Sequence, residues 1–380
     1  MFRRFKVTSK VRESRTITSF QLQPVGPQGW RAFEPGQFFV FKIPVRDERG
    51  HVLRNYSISS PASRTGRYRI TVKRETAPVA GVPDGAASCY LHDHVSVGDE
   101  LLAEGPRGEF QLDRTSSRPV VLLSGGVGLT PLVSMFHTLA HETERRVYFI
   151  HACDNGEVHA LGEEVRELAA LRHGLTLHVC YRFPLAADCA AAAYDSVGIV
   201  TADVLRRVLP LDDYDVYLCG PPPFMQGVYA ALRSLGVPRH RIACETFGPA
   251  TVLEEPEIGQ VHQPAEAPRP AAQKRRPRAA RSRTAKAAEA ATTATGHAIM
   301  VEFRRSKRSV PWEDARSLLD FAEQQGLKPD FSCRAGVCGS CKVALLEGEV
   351  AYVQEPLDPP EEGSALICSC KPRSSIVVDL

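Results

Sequence analysis

Five of the 11 cysteines lie within the last 48 residues of the 380-residue chain, and their spacing is the strongest chemical signal in the sequence. Cys333, Cys338 and Cys341 follow a C-x4-C-x2-C pattern, and a further cysteine follows near the C-terminus. This spacing is typical of a plant-type [2Fe-2S] cluster. Small residues between the cysteines leave room for backbone N–H groups to turn toward the sulfides. A zinc site would instead favour paired C-x2-C elements, and the chain supplies only one.

The fourth cluster ligand is open between two cysteines, Cys368 and Cys370. The segment around them resembles the ending of ferredoxins, in which the ligand follows a short apolar run and precedes a proline by four residues. Cys368 has this spacing to Pro372. The resemblance therefore implies Cys368 as the fourth ligand and leaves Cys370 as a spare thiol.

A second candidate site lies in the alternating segment RNYSIS. On a strand, Arg54 and Tyr56 share one face, and Ser57 lies on the other. An arginine suits a pyrophosphate, a tyrosine can stack on an aromatic ring, and a hydroxyl can bond a ring nitrogen. These residue types could hold a flavin nucleotide, although an ordinary barrel strand would show the same alternation.

Three glycine- or proline-rich segments, each leading into a helix, could meet the phosphates or the ring of a nucleotide. Residues 81–88 lead into a short helix and predict a phosphate-binding loop. Residues 123–131 contain GGVG between an apolar strand and a helix, which favours a dinucleotide although the GxGxxG pattern is incomplete. Residues 217–225 contain CGPPP and predict the second lip of a nicotinamide crevice, with a simple rigid turn as the alternative.

The pattern of apolar and polar residues changes along the chain, which predicts a multi-domain protein. Residues 1–114 alternate in short stretches, as in an antiparallel β-barrel. Residues 115–250 alternate apolar runs with helical stretches, which predicts an α/β nucleotide-binding domain with a parallel sheet. Residues 251–296 predict a disordered, basic, Pro- and Ala-rich linker, with a tether to nucleic acid or a membrane as the alternative. Residues 297–380, with a helix near 313–325, form a unit small enough to need a metal.

The composition excludes several classes of protein. The chain is 43% hydrophobic and 24% charged, which is ordinary for soluble proteins. A net charge of +3 provides no global field to attract nucleic acid or an anionic membrane. No stretch reaches the roughly 20 apolar residues of a spanning helix, and the start lacks the apolar run of a secretory signal. We therefore expect a cytoplasmic monomer that binds neither nucleic acid nor membranes.

Several motifs occur in the order found in the ferredoxin-NADP reductase superfamily, namely RNYSISS, ITVKRE, GGVGLTPLVSM, CGPPPFM and ETFGP. The first two units are similar to the reductase half of flavohemoglobins. The last unit resembles the α+β β-grasp ferredoxin domain of phthalate-dioxygenase-type and phenylacetate-hydroxylase-type reductases. The resemblance implies FAD on the barrel, NADH or NADPH on the second domain and a [2Fe-2S] cluster on the third. Because the barrel begins almost at residue 1, we do not expect a globin or nitric-oxide dioxygenation.

Carried over position by position, the resemblance implies specific cofactor contacts. The flavin would contact Arg54, Tyr56, Ser57, Ser88, Glu245 and Phe247. The nicotinamide nucleotide would contact Gly125, Gly126, Val127, Gly128, Thr130, Cys219, Gly220, Pro221 and Pro222. The implied catalytic residues are Ser57, near the ring nitrogen that accepts hydride, together with Cys219 and Glu245 beside the reacting rings.

The combination of cofactors predicts how the protein works. Hydride transfer delivers two electrons together, whereas a [2Fe-2S] cluster takes one, so a flavin between them acts as the converter. We expect an NADH-dependent reductase that passes electrons through FAD and the cluster to a protein acceptor such as an oxygenase, a hydroxylase or a hybrid-cluster protein. Two alternatives stay open, a non-enzymatic redox sensor that reports the NADH level to a partner, and a flavoprotein subunit of a fixed complex, as in dihydroorotate dehydrogenase.

The coenzyme preference depends on residues 151–157, which follow the second strand of the nucleotide domain. This segment offers no arginine or lysine to pair with a 2'-phosphate, and an acidic residue near the ribose favours NAD. Asp154 is the candidate, and Glu157 could replace it. Arg182 could reach the phosphate from elsewhere. The segment predicts a preference for NADH.

Overall fold

The computed structural model of the chain describes residues 1–26, 29–45, 50–76, 84–247, 299–313, 315–331, 336, 339, 341–353, 356 and 359–380. The predicted linker, residues 251–296, lies outside the described residues. Within the described parts of the chain, no helix is both long and apolar enough to cross a membrane.

The first unit is a six-stranded antiparallel sheet rolled around an aromatic core. Its elements are β1 Arg3–Arg12, β2 Ile17–Pro24, β3 Phe38–Pro44, β4 His51–Ser57, β5 Tyr68–Lys73, α1 Ala86–His94 and β6 Glu100–Arg107. The strands are ordered β4-β3-β6-β1-β2-β5, and a bridge between Ile58 and Ile70 joins the end of β4 to β5. Phe5, Phe39 and Tyr68 meet inside with ring centroids 4.8 to 5.9 Å apart. The predicted barrel is confirmed.

The second unit is a parallel sheet covered by helices, as predicted. Its elements are β7 Val120–Gly125, α2 Leu129–Glu142, β8 Val147–Cys153, α3 Gly162–Ala169, β9 Leu175–Tyr181, α4 Ala186–Ala190, β10 Ser196–Val197, α5 Ala202–Val208, β11 Asp215–Gly220, α6 Pro222–Ser234 and β12 Ile242–Thr246. The strands are ordered β10-β9-β8-β7-β11-β12. Their apolar side chains alternate between two cores, one on each face of the sheet.

The strand order places a crevice at the end of β7. The chain leaves β7 toward β8 on one side and returns to β11 on the other side. In open α/β sheets, ligands bind at the carboxyl ends of the strands where the order reverses in this way. The turns after β7 and β11, which carry the GGVG and CGPPP sequences, lie at this point.

The barrel and the nucleotide domain share an extensive interface. Ile17, Phe110 and Leu112 of the barrel side belong to the same buried core as α2 and α3. The backbone N–H of Asp113 donates to the hydroxyl of Tyr217 at 2.7 Å. This shared core holds the two units in one fixed relation, which a site between them requires.

The third unit is a small mixed sheet with one helix. Its elements are β13 Met300–Phe303, β14 Arg308–Pro311, α7 Leu318–Gln324, β15 Lys342–Glu347, β16 Val350–Tyr352, β17 Ser364–Leu366, β18 Cys370–Pro372 and β19 Ile376–Val378. The main sheet is ordered β14-β13-β19-β15-β17, and β16 pairs with β18. The helix begins five residues later than the predicted Glu313, because the side chain of Ser317 caps it by accepting from the N–H of Asp320 at 3.1 Å.

Candidate redox site

The end of β4 carries the three residues predicted to hold the flavin. Arg54 is exposed, and its guanidinium donates to the carbonyl of Leu53 at 2.8 Å. Tyr56 packs its ring against Phe41, with centroids 5.7 Å apart, and burial raises the pKa of Tyr56. Ser57 is 5% exposed, and its Oγ makes no hydrogen bond to any described residue. A buried hydroxyl without a partner is costly, so this atom fits a polar edge of a bound ring.

Ser88 lies in the first turn of α1, where its hydroxyl makes two hydrogen bonds to nearby backbone groups. Its Oγ donates to the carbonyl of Gly85 at 3.0 Å and accepts from the N–H of Glu75 at 3.1 Å. The hydroxyl therefore fastens the helix start to the chain that leaves β5. A phosphate at this helix would be met by backbone N–H groups of the first turn. Part of the predicted loop, residues 81–83, lies outside the described residues.

The turn after β7 requires glycine at two positions for different reasons. Gly126 has φ of 52°, and nothing lies within 4 Å of the place where a Cβ would stand. A Cβ on Gly128 would lie 2.3 Å from the carbonyl oxygen of Cys219, so only glycine lets the two turns approach. Thr130 is buried, and its hydroxyl donates to the carbonyl of Val127 at 3.1 Å. The turn is thus closed on itself, and Gly126 and Val127 are its half-buried residues.

The turn after β11 packs directly on the turn after β7. A Cβ on Gly220 would lie 3.0 Å from the Cα of Gly125 and 2.6 Å from the ring of Phe224. Pro221 is at the N-cap position of α6, and Pro222 is the first residue of that helix. The glycine and proline residues predicted to contact the nicotinamide therefore lie on two adjoining turns at the carboxyl ends of β7 and β11, and the contact itself stays a prediction.

Cys219 and Glu245 are neighbours across the sheet, because the parallel register of β11 and β12 pairs them. Cys219 is fully buried, and burial raises the pKa of its thiol far above the usual range. The Oε2 atom of Glu245 is buried and has no hydrogen-bond partner among the described residues. Burial raises the pKa of Glu245 to about 8, so the carboxyl keeps its proton at neutral pH. Phe247 packs against the core beneath α2.

The barrel residues and the nucleotide turns lie at a common border. β5 contacts the turn at Gly126–Gly128, and β5 is bridged to the residue that follows Ser57. The hydroxyl of Ser134 in α2 donates to the carbonyl of Ser60 at 2.8 Å. Two orphaned buried polar atoms, one on β4 and one on β12, together with this glycine-lined border fit a flavin and a nicotinamide.

The C-terminal unit gathers the cysteines that the structure describes. Cys341 and Cys368 are buried in one apolar core, and the N–H of Ile367 donates to the carbonyl of Cys341 at 3.3 Å. The N–H of Gly336 donates to the Sγ of Cys368 at 3.4 Å. Amide donors to a ligand sulfur are typical of iron-sulfur sites, so this contact favours Cys368 as the fourth ligand.

Three further cysteines belong to the C-terminal unit, and the structure describes one of them, Cys370. Cys370 is fully buried on β18, where it pairs with Tyr352 across the strands, and burial raises the pKa of its thiol to about 12. The predicted ligands Cys333 and Cys338 lie outside the described residues. The complete ligand set therefore stays a prediction.

One interface group was missed by the sequence analysis. Arg69 of β5 makes two hydrogen bonds to Glu164 of α3, at 2.6 and 2.8 Å, and His137 of α2 contacts the same carboxylate at 2.6 Å. Although burial opposes ionisation, hydrogen bonds from His137 and Arg69 hold the pKa of Glu164 at about 2. No local pattern could reveal this group, because Arg69 and Glu164 are 95 residues apart in sequence.

Three families match the chain in series. Residues 4–112 match the oxidoreductase FAD-binding domain, residues 122–230 the oxidoreductase NAD-binding domain, and residues 301–373 the 2Fe-2S iron-sulfur cluster binding domain. The chain belongs to the ferredoxin-NADP reductase family and carries a C-terminal 2Fe-2S domain. The predicted family, the oxidoreductase class and the cofactors FAD, NAD and [2Fe-2S] are confirmed.

Individual relatives cover different parts of this reductase. A flavohemoprotein of Rhodopirellula baltica is 42% identical over 256 residues, which are 66% of this chain and 62% of that protein. The chain thus spans less than two thirds of the length of this relative. The flavohem-like FAD/NAD-binding domain of nitric oxide dioxygenase from Vibrio cholerae is 36% identical, with a TM-score of 0.57, and covers 65% of this chain and 98% of its own.

Phthalate dioxygenase reductase resembles the whole chain. It is 24% identical, with a TM-score of 0.55, and the likeness covers 100% of this chain and 98% of that one. That protein is described as a modular structure for electron transfer from pyridine nucleotides to [2Fe-2S]. At this identity the likeness concerns the fold alone. It shows that the two chains share one three-domain architecture over their whole length.

Proposed function

We propose that this reductase takes hydride from NADH, passes electrons through FAD to its own [2Fe-2S] cluster, and delivers them singly to a separate protein acceptor. The observation that carries the proposal is the presence of FAD-, NAD- and 2Fe-2S-binding domains in one chain. The bound flavin supplies the exchange between two-electron and one-electron chemistry. An oxygenase, a hydroxylase or a hybrid-cluster protein would suit as acceptor.

The barrel residues would bind and orient the flavin. Arg54 is exposed and positively charged, so its guanidinium can pair with a phosphate. Tyr56 is held by packing and offers an aromatic face. The buried Oγ of Ser57 would satisfy its missing hydrogen bond at a ring nitrogen and thereby fix the ring beside the nucleotide turns.

The nucleotide domain would position the nicotinamide and control protons beside it. The N-terminus of α2, after the Gly126–Gly128 turn, favours the negative pyrophosphate. Cys219 and Glu245 are both protonated at neutral pH, so this side of the crevice is uncharged. An uncharged wall neither attracts nor repels the positive ring that hydride loss leaves. The carboxyl of Glu245 can hold or donate one proton.

Two artificial acceptors test the order of transfer. Purified protein should contain about one FAD, two iron atoms and two sulfides per chain, and NADH should reduce both ferricyanide and cytochrome c. Cys341→Ser should abolish cytochrome c reduction through loss of the cluster and keep ferricyanide reduction by the flavin. Equal loss of both activities in a variant that retains FAD would contradict a relay in this order. Zinc without sulfide would contradict the cluster itself.

The redox-sensor alternative makes a different prediction in the same assay. A sensor needs only to be reduced once, whereas an enzyme turns over many times. Sustained NADH oxidation with ferricyanide supports the reductase, and a single turnover per chain would favour the sensor.

A further inference from the structure

Three side chains that can bind a metal meet at the carboxyl end of β8. His151 and Cys153 are two residues apart on this strand and therefore lie on the same face. His159 follows the short turn at Gly156–Val158. One ligand atom from each of these three residues lies within 4.8 Å of the other two. None of the three is among the residues assigned above to FAD, the nicotinamide ring or the [2Fe-2S] cluster, and His151 and Cys153 lie in the segment 151–157 that the coenzyme preference depends on.

In each histidine, Nδ1 makes a hydrogen bond to a hydroxyl group, and Nε2 is available to bind a metal. The Nδ1 of His151 is 2.8 Å from the Oγ of Ser124, and the Nδ1 of His159 is 2.8 Å from the hydroxyl of Tyr181. The Nε2 of His151 is buried and has no hydrogen-bond partner among the described residues. Histidines that bind metals usually engage their second ring nitrogen in this way, which fixes the ring and its tautomer.

Packing holds the two imidazole rings against each other. The two imidazoles stack with centroids 4.5 Å apart and an interplanar angle of 24°. A Cβ on Gly162 would lie 3.1 Å from the ring of His159, so glycine leaves the room for this ring. Metal bonds of about 2.0 to 2.3 Å require ligand atoms roughly 3.3 to 3.6 Å apart in a tetrahedron. The ligand atoms, which lie within 4.8 Å of one another, must therefore move closer together to bind one ion.

The ligand types of this group suit a cation that binds nitrogen and sulfur. The charged groups that act on these residues are Asp154, Asp188 and Arg166. A metal would displace the thiol proton to solvent.

An acidic cavity leads to the group formed by His151, Cys153 and His159. Its volume is about 550 Å³, and its lining includes His159, Tyr181 and four glutamates, namely Glu13, Glu163, Glu164 and Glu167. Arg166 also lines it. His151 is 1% exposed, whereas Cys153 and His159 are partly exposed. The cavity thus offers a cation a route with a favourable local field.

We propose that His151, Cys153 and His159 form a binding site for a zinc-class divalent cation, with a water molecule in the fourth position. The ligand set of two imidazoles and one thiolate suits Zn²⁺, and a site with three protein ligands keeps one position open. The hydrogen bond between His151 and Ser124 links the ion to the end of β7, which leads into the nucleotide turn. Zinc would thereby act at the coenzyme crevice, outside the electron relay itself.

The test uses the full-length holoenzyme with FAD and iron measured in every sample. After equilibration with Zn²⁺ and dialysis, we expect about one zinc per chain, and zinc-edge X-ray absorption should show one sulfur and two imidazole nitrogens. Cys153→Ser and His159→Gln should each weaken zinc affinity by at least about tenfold. Cys189→Ser removes an exposed cysteine on α4 and should leave the affinity unchanged.

Tyr181→Phe provides a variant that preserves the ligands themselves. It removes the hydroxyl that engages Nδ1 of His159, and zinc affinity should fall by about 10- to 100-fold. Equal zinc affinity in the wild type, Cys153→Ser and Tyr181→Phe would overturn the proposal. Zinc bound by four sulfurs with loss of iron would overturn it too, because the ion would then occupy the C-terminal cysteines.

Discussion

The reductase body and the C-terminal unit build their redox sites in opposite ways. In the C-terminal unit, Cys341 and Cys368 are themselves members of the only large core among its described residues. In the reductase body, the polar groups that face the crevice come from β4 and β12, and separate cores and an interdomain ion pair support them. The predicted cluster site thus depends on a few cysteine ligands, whereas the candidate flavin and nicotinamide site depends on packing between distant elements.

The largest expected effect removes a ligand from the C-terminal unit. Cys368→Ser should lose the cluster and lower cytochrome c reduction by at least about a hundredfold, because a bound cluster stabilises its own small core. Cys370→Ser is the matched control two residues away and should keep iron and activity. Iron and sulfide analysis with both acceptor assays checks this prediction. Iron retention in Cys368→Ser and loss in Cys370→Ser would reverse the ligand assignment.

A smaller effect is expected at the ion pair that joins the barrel to the nucleotide domain. Glu164→Gln keeps the side-chain shape but removes the charge that Arg69 and His137 contact. The free energy of unfolding of the reductase body should fall by about 1.5 to 3 kcal/mol, the usual contribution of hydrogen bonds to a charged group. Urea denaturation, monitored by the release of flavin, measures this free energy of unfolding. Glu163→Gln, on the exposed side of the same helix turn, should change stability little.

The pH dependence of this variant follows from the low pKa of Glu164. The folded-state pKa of about 2 lies below the ordinary value of 4.5, so ionisation stabilises the folded state. The contribution is complete above about pH 4.5 and is lost as the pH falls toward 2. The difference in stability between wild type and Glu164→Gln should therefore shrink over that range. A difference that stays constant down to pH 2 would show that the charge is not responsible.

The sequence predicted more of the C-terminal site than of the reductase site, because only residues that form a local pattern can be recognised in a sequence. Spacing and the resemblance to ferredoxin endings made Cys341 and Cys368 candidate ligands, and strand alternation likewise made Ser57 a candidate flavin contact. The pairing of Cys219 with Glu245 depends on the register of two strands, and the contact of Arg69 with Glu164 on the packing of two domains. Neither arrangement leaves a local pattern, so the carboxyl pKa and the interface appeared only in the structure.

Glu245 should show a pH dependence of the opposite sign. Its folded-state pKa of about 8 lies above the ordinary 4.5, so the folded state holds the proton between these values while the unfolded chain releases it. Stability should therefore fall as the pH rises from 4.5 to 8, by up to about 1.4 kcal/mol per unit. Glu245→Gln should remove this slope, whereas Glu144→Gln, at an exposed position, should keep it. Urea denaturation between pH 5 and 8.5 at constant flavin concentration checks it, and equal slopes in all three proteins would contradict a buried carboxyl.

The smallest expected effect concerns the choice of coenzyme at the ends of β8 and β9. Asp154 lies beside a basic residue here, since the N–H of Arg182 donates to the carbonyl of Cys153 at 2.9 Å and that of Phe183 to Asp154 at 2.8 Å. The guanidinium of Arg182 lies 4.8 Å from the ring centroid of Phe183 and forms no ion pair with any residue that the structure describes. We predict that NADH has the higher kcat/KM, because a carboxylate near the ribose repels a 2'-phosphate.

Two variants separate the carboxylate from the guanidinium in steady-state kinetics with both coenzymes. Asp154→Asn should raise kcat/KM for NADPH relative to NADH by about tenfold, equivalent to about 1.4 kcal/mol, whereas Glu157→Gln should change the ratio less. Arg182→Ala should leave the NADH value unchanged. A wild type that prefers NADPH and loses this preference in Arg182→Ala would show that the guanidinium leaves Phe183 to bind the 2'-phosphate. In that case Arg182, which directly follows β9, rather than the acidic residue in the sequence determines the coenzyme specificity.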